Sequence, residues 1–222
     1  MGRHATDTGG GDFQQAPAGS HIARCIRIVD LGTQKNEYQG VVNHKSQVLV
    51  SWELCHEMMD IDGQQKPFIV SKFYTNSLNE KANLRHDLIN WRGREFSPEE
   101  LNKFDLQSIL GAPCILSVVH NEKGKAKVEG VLKLTKGTVA PEAQNKPYAF
   151  WLDEFERNVF DALSDGIKAI IEKSPEYQAM MKATTKELTD TLPPAHSFSN
   201  FEDDIPFAPH GKCGAGVSWM VM

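Results

Sequence analysis

Residues 67–93 read PFIVSKFYTNSLNEKANLRHDLINWRG, and the hydrophobic period changes within them. Pro67 to Ser77 is dense in β-branched and aromatic residues and reads as a strand. From Leu84 the apolar residues fall at Leu84, Leu88 and Trp91, a spacing of i, i+4, i+7 that marks one face of a helix. Ser77 and Glu80 stand at capping-box spacing for its start, and Gly93 marks its end. A strand followed by a capped helix sets the frame for what lies on either side.

Upstream, His21 to Asp30 alternates Ile22, Ile26 and Ile28 with polar residues, and Ser46 to Leu54 puts Val48, Val50, Trp52 and Leu54 on one face. Leu31 to His44, with Gly32 and Gly40, reads as a loop. Asp62-Gly63 marks a tight turn. Downstream, Ser97-Pro98-Glu99-Glu100 is a second helix start, and Gly111 and Pro113 stop the helical region. Cys114 to Val119 and Ala126 to Leu134 read as two strands joined by a turn at Gly124. Three strands, a helix and two strands is the order of the OB-fold. The expected fold class is mainly β with α: a five-stranded OB-fold barrel over residues 21–137, a C-terminal helix and a disordered acidic tail. Another small antiparallel α+β domain is the alternative on pattern alone.

The flanks differ in composition. Residues 1–20 are rich in Gly and Ala and are expected to form a disordered arm. Val139 to Pro147 reads as a linker within 138–190, followed by an amphipathic helix carrying Trp151, Leu152, Phe155, Val159, Leu163, Ile167 and Ile170. Residues 191–222 are Pro-, Ser- and acid-rich and read as a disordered tail. Charge follows this division. Residues 21–137 carry 16 Lys and Arg against 14 Asp and Glu, whereas residues 138–222 carry 7 against 13. A near-neutral core still binds a polyanion if its cations share a face.

No apolar run reaches the roughly 20 residues that span a bilayer, and the N-terminus has no signal-type apolar stretch. The four cysteines form no CxxC pair, and three sit in apolar runs, which suits reduced core thiols and a cytoplasmic location. The histidines are not at ligand spacing, so no metal is expected. Asp60-x-Asp62-Gly63 lacks the downstream Glu of a calcium loop. No nucleophile, phosphate-loop or zinc-protease motif is present, so no catalytic residue and no cofactor is expected.

A single-strand binder needs cations for phosphates and aromatic faces for bases. Lys123, Lys125 and Lys127 have strand spacing on the last hairpin. Trp52, Phe73 and Tyr74 lie on the second and third strands, with Lys72 expected on the face of Tyr74. One of Phe73 and Tyr74 must point outward, and Tyr74 is the expected platform. Arg27, Lys45, Arg92 and Arg94 complete the candidate DNA-binding set.

Several segments together resemble a family of bacteriophage single-stranded DNA-binding proteins: APAGSHIARC (16–25), IVDLGTQ (28–34), VSWEL (50–54), KPFIVSKFYTNSLNEKANLRHDL (66–88), NWRGREFSPEELNKFDL (90–106) and LGAPCILSVVHN (110–121), with a weaker echo at KSPEY (173–177). The resemblance covers about residues 16–137. It implies an OB-fold that coats single strands during phage replication or recombination, and the aromatic and lysine content leads to an expectation of little base specificity. Asp203, Asp204, Ile205, Pro206 and Phe207 resemble the acidic tip with which bacterial single-strand binders recruit replication and repair proteins, although 15 residues follow Phe207 here. The amphipathic C-terminal helix is expected to pack on the core or on another protomer, which allows a homo-oligomer. The other readings are a protein-interaction module of a replication or recombination complex and, in a different class, a metal-dependent nuclease with Asp60 and Asp62 as its nearest carboxylates.

Overall fold

A meander of three antiparallel strands opens the fold: β1 (Gly19–Tyr38), β2 (Val41–Ile61) and β3 (Gln64–Thr75). The computed structural model describes residues 14–38 and 40–191. The turn into β3 uses Asp62 at φ 53° and Gly63 at φ 77°, two consecutive positive-φ residues as a two-residue type I′ hairpin requires. Helix α1 (Asn83–Arg92) follows, closed by Gly93 in the left-handed region at φ 67°. Helix α2 (Pro98–Lys103) begins with a complete capping box: Ser97 Oγ accepts from Glu100 N–H, and Glu100 Oε2 accepts from Ser97 N–H. Strands β4 (Pro113–His120) and β5 (Ala126–Leu132) come next, then a short β6 (Tyr148–Phe150).

The sheet order is β3-β2-β1-β4-β5, all antiparallel, with β6 pairing in parallel with β1 over Arg27–Val29. Six strands therefore replace the five expected, and the sheet is open: among the described residues no ladder joins the edge strands β3 and β5. The inward face gathers Cys25 and Ile28 of β1, Val50 and Trp52 of β2, Tyr74 of β3 and Leu116 of β4, and Leu84, Leu88 and Trp91 of α1 pack against them. Burial pushes the Cys25 thiol up to about 12 and raises that of Cys114 as well, so both are inert at neutral pH.

Three local expectations are corrected. Leu31 to His44 is not a loop: β1 and β2 pair out to Tyr38↔Val41, making a two-stranded ribbon in which Lys35, Asn36 and Glu37 of β1 and residues 41–45 of β2 stand exposed. Its polar residues on both faces hide the alternation that marks a half-buried strand. Ser77 and Glu80 do not cap α1, because Ser77 Oγ accepts from Asn79 N–H and the helix starts at Asn83. The single C-terminal helix is broken into α3 (Arg157–Asp161), α4 (Asp165–Ile171) and α5 (Pro175–Thr191).

The apolar residues expected on that helix nevertheless find one partner. Phe155, Val159, Leu163, Ile167 and Ile170 join Phe150, Phe160 and Ile171 in a second cluster over Val29, Leu31 and Leu49, on the outward face of β1 and β2. Gly32 makes the close approach possible. A Cβ there would stand 2.6 Å from Ser174 Cβ and 2.8 Å from Leu152 Cδ1, at φ 67°. No described helix is long and apolar enough to cross a membrane.

The chain divides into two compact units, Met1–Thr184 and Thr185–Met222. The presumed linker thus belongs to the same unit as the sheet. Of the second unit only the end of α5 is described. Residues 1–13 of the expected arm, and the 192–222 stretch of the expected tail with Asp203, Asp204, Ile205, Pro206 and Phe207, lie outside the described residues. Residues 14–18 of the arm are not free: Ala16 is buried in the core, His120 Nε2 donates to Ala16 O and His21 Nε2 to Pro17 O.

Candidate nucleic-acid interface

The register of β2 and β3 decides which aromatic meets solvent. Val48 pairs with Tyr74 and Leu49 with Phe73, so Tyr74 shares the inward face of Val48 while Phe73 points out. Phe73 is 54% exposed and Tyr74 only 3%. The expected platform is therefore in the core, and its neighbour takes the exposed position. Trp52 is corrected in the same way: at 1% exposure it packs edge-on to Tyr74 and tilted against Trp91, out of reach of any base.

Lys72 shares the inward side with Tyr74, and a partner makes this possible. Its Nζ donates to Asp87 Oδ2 at 2.7 Å and to Glu129 O at 3.1 Å, and Tyr74 donates its hydroxyl to the same Asp87 oxygen at 2.6 Å. One carboxylate on α1 thus satisfies a lysine and a phenol of β3, and the lysine bridges across to β5. Burial, with the Asp87 carboxylate beside it, pushes the Tyr74 phenol well above its usual range. Lys72 is a cross-link of the open seam and not a free cation for phosphate.

The arginines are also committed. Arg92 lies over the rings of Phe96 and Phe104 at 4.4 and 5.1 Å and donates to Glu100. Arg94, more exposed, donates to both oxygens of the same carboxylate at 3.1 and 2.6 Å. Arg27 is half-buried, with its guanidinium 5.3 Å from the centre of the Tyr148 ring, because β6 is laid beside β1 there. Arg92 and Arg27 are thus partly buried against aromatic rings, while Arg94, its side chain 62% exposed, keeps a solvent-facing guanidinium beside Glu100.

A strap from the C-terminal segment explains the loss of Arg27 and of much of the outer β1–β2 face. Arg24 donates from Nη2 to Ala140 O at 2.9 Å and from Nε to Pro141 O. Glu53, 1% exposed, accepts from Gln144 N, Asn145 N and Asn145 Nδ2 at 2.7, 2.9 and 2.7 Å. Three N–H donors compensate a buried carboxylate, and they fix the strap to the sheet. A strand of nucleic acid on this face would meet the strap or, beneath it, a negative charge.

What remains open is the outward side of β3, with α1 and β5. Two grooves meet at Phe73 and Asn83. One, of about 540 Å³, runs past Phe73 between Lys45, Gln47 and Lys81. The other, of about 460 Å³, runs from Phe73 past His86 to Lys127 and Glu129 along the β3–β5 seam. Of the expected site residues, Lys45, Phe73 and Lys127 are thus brought together. Lys123 and Lys125 are exposed but lie in the turn before β5, where Asn121 Oδ1 accepts from both of their backbone N–H groups. They extend the basic character beyond Lys127 without sharing its strand face.

Lys81, Asn83, His86 and Gln47 were not expected here. Lys81 and Asn83 sit in the segment read as a helix start, and only the turn at residues 79–82 brings them beside Phe73. Asp60, the nearest carboxylate of the nuclease reading, accepts from Gly63 N and Gln65 Nε2 and so serves its own turn. A further cavity of about 400 Å³ beside Trp91 and Phe104 is more apolar, and its guanidinium is the Arg92 already engaged by Glu100. A scan against protein-family models and a search of curated proteins give no match to this chain.

Proposed function

We propose that the protein binds single-stranded DNA, without catalysis, along the groove that passes Phe73 from Lys45 and Lys81 to Lys127. One observation carries this reading: a large aromatic ring, 54% exposed on a sheet face, with lysines at both ends of its groove. Burying such a ring in the core would stabilise the fold, so its exposure calls for a partner with an apolar face. Unpaired bases offer such a face on every nucleotide, and phosphates suit the flanking ammoniums.

The strand order supports an OB-type assignment as part of the same proposal. The order β3-β2-β1-β4-β5, with a helix between β3 and β4, is that of the five-stranded, partly open barrel of this fold, whose strand 2–3 face and flanking loops bind oligonucleotides. Here the β1–β2 ribbon and the Lys123–Lys125 turn stand in the places of those loops. The resemblance over residues 16–137 supports a role in phage DNA replication or recombination, in the host cytoplasm. A protein-interaction role has one observation in its favour: Val41 and Val42 are 59% and 43% exposed on the ribbon, where another protein could cover them.

Replacing Lys45, Lys81 and Lys127 together by Glu tests the path. Each phosphate contact on a single strand contributes about 0.7 to the slope of log K against log salt. The triple variant is expected to lose up to about 2 from that slope with an unchanged circular-dichroism spectrum. A wild-type slope in the folded variant would remove these lysines from the interface.

A further inference from the structure

We propose that the groove beside Phe73 reads the identity of one base, and that this base is adenine. The inference rests on the single-strand reading above and refines it: most of the strand is held without regard to sequence, while the nucleotide on Phe73 is selected.

The groove is lined differently from a surface that only stacks and neutralises. Gln47 lies on β2 opposite Thr75, and Phe73 lies two residues from Thr75 on the same outward face. Gln47 and Phe73 are therefore diagonal neighbours, close enough for a long side chain to reach over the ring. On the other side Asn83, the first residue of α1, lines both grooves together with Phe73. No hydrogen bond engages either side-chain amide among the described residues. Asn145, Gln34 and Asn79 are by contrast engaged, on Glu53, on the carbonyls of Leu31 and Ile170, and on Lys81 N–H. No carboxylate lines the groove that holds Gln47.

An amide presents one donor and one acceptor side by side. The Watson–Crick edge of any base can answer that pattern. Adenine answers it a second time, with N6–H and N7 on the opposite side of the ring, and this is the established partner edge for Asn and Gln. Guanine presents two acceptors on that edge, which suit Lys or Arg, and pyrimidines have no ring nitrogen there. A base stacked on Phe73 between Gln47 and Asn83 meets an amide from each side. Apart from the sugar-side edge, where guanine also sets a donor beside an acceptor, adenine is the base that satisfies both.

The test is a competition titration with the full-length chain at one fixed salt concentration. Four oligomers of equal length compete: all dT, and dT with a single central dA, dG or dC. A single substitution leaves the rest of the strand unchanged. The dA oligomer is expected to bind about fivefold tighter than all dT, the low end for one bidentate amide–adenine contact. Gln47→Ala with Asn83→Ala is expected to remove that advantage, so that the dA and all-dT oligomers bind the variant with equal affinity. Equal affinity for the four oligomers overturns base reading and leaves the single-strand reading standing, as does a dA advantage that survives the double substitution. Tightest binding to dG or dC also overturns the assignment to adenine. Failure to bind any of the four overturns the single-strand reading and this inference with it.

Discussion

Phe73→Ala is expected to weaken binding to a dT oligomer by about five- to 150-fold, the range that corresponds to one lost base stack of about 1–3 kcal/mol. Its stability should change by no more than about 0.5 kcal/mol, because the ring packs little against the protein. Tyr74→Phe provides the contrast. It removes only the hydroxyl that donates to Asp87 and leaves the outward face untouched, so its DNA affinity should match the wild type even as its unfolding midpoint falls. Fluorescence anisotropy for affinity and urea denaturation for stability separate the two. Unchanged affinity in folded Phe73→Ala would remove the aromatic platform from the interface.

Asp87→Ala carries the largest expected stability cost. The side chains of Lys72 and Asp87 are 17% and 12% exposed, so the pair is largely withdrawn from water. Deleting the carboxylate strands an ammonium between β3 and β5 and leaves the Tyr74 hydroxyl without its acceptor. Breaking such a pair from one side costs about 3 kcal/mol or more. Asp87→Asn keeps an acceptor for Tyr74 and should cost less. Adding Lys72→Met to Asp87→Ala should recover part of the loss, since the stranded charge is then gone, and that non-additivity is the signature of the pair. Additive effects in urea denaturation would mean that the two residues act independently.

Lys72 also explains why part of the site could not be read from sequence. In 68–75 the even-numbered set is Phe68, Val70, Lys72 and Tyr74, and the odd-numbered set is Ile69, Ser71, Phe73 and Thr75. Each set has its apolar members, and a lysine in the first argues that this set is the wet one. The lysine is inside because Asp87, fifteen residues on, receives it. Asp87 stands beside Leu88 on the buried side of α1, where a carboxylate without a partner would not be tolerated. That residue was the available signal.

The strand order and the helix after β3 were legible because their apolar spacing is regular, as at Val48, Val50, Trp52 and Leu54 on one side and Leu84, Leu88 and Trp91 on the other. The ends of elements were less so. Among the described residues, 35–37 and 41–45 of the ribbon have no buried face to leave an imprint, and the strap depends on contacts between Glu53 and residues some ninety positions away. The apolar residues of 151–170 pointed to burial but not to the breaks between α3, α4 and α5. Two compact turns satisfy the same apolar set as one long helix.

The most direct measurement is a titration of the full-length chain with a fluorescent dT oligomer and, in parallel, with a duplex of the same length, at several salt concentrations. An exposed aromatic between lysines predicts tighter binding to the single strand than to the duplex, because paired bases are closed to stacking, with log K falling linearly as log salt rises. Equal affinity for the two forms, or no binding to the dT oligomer at the lowest salt, would contradict the assignment of the Phe73 groove to single-stranded DNA.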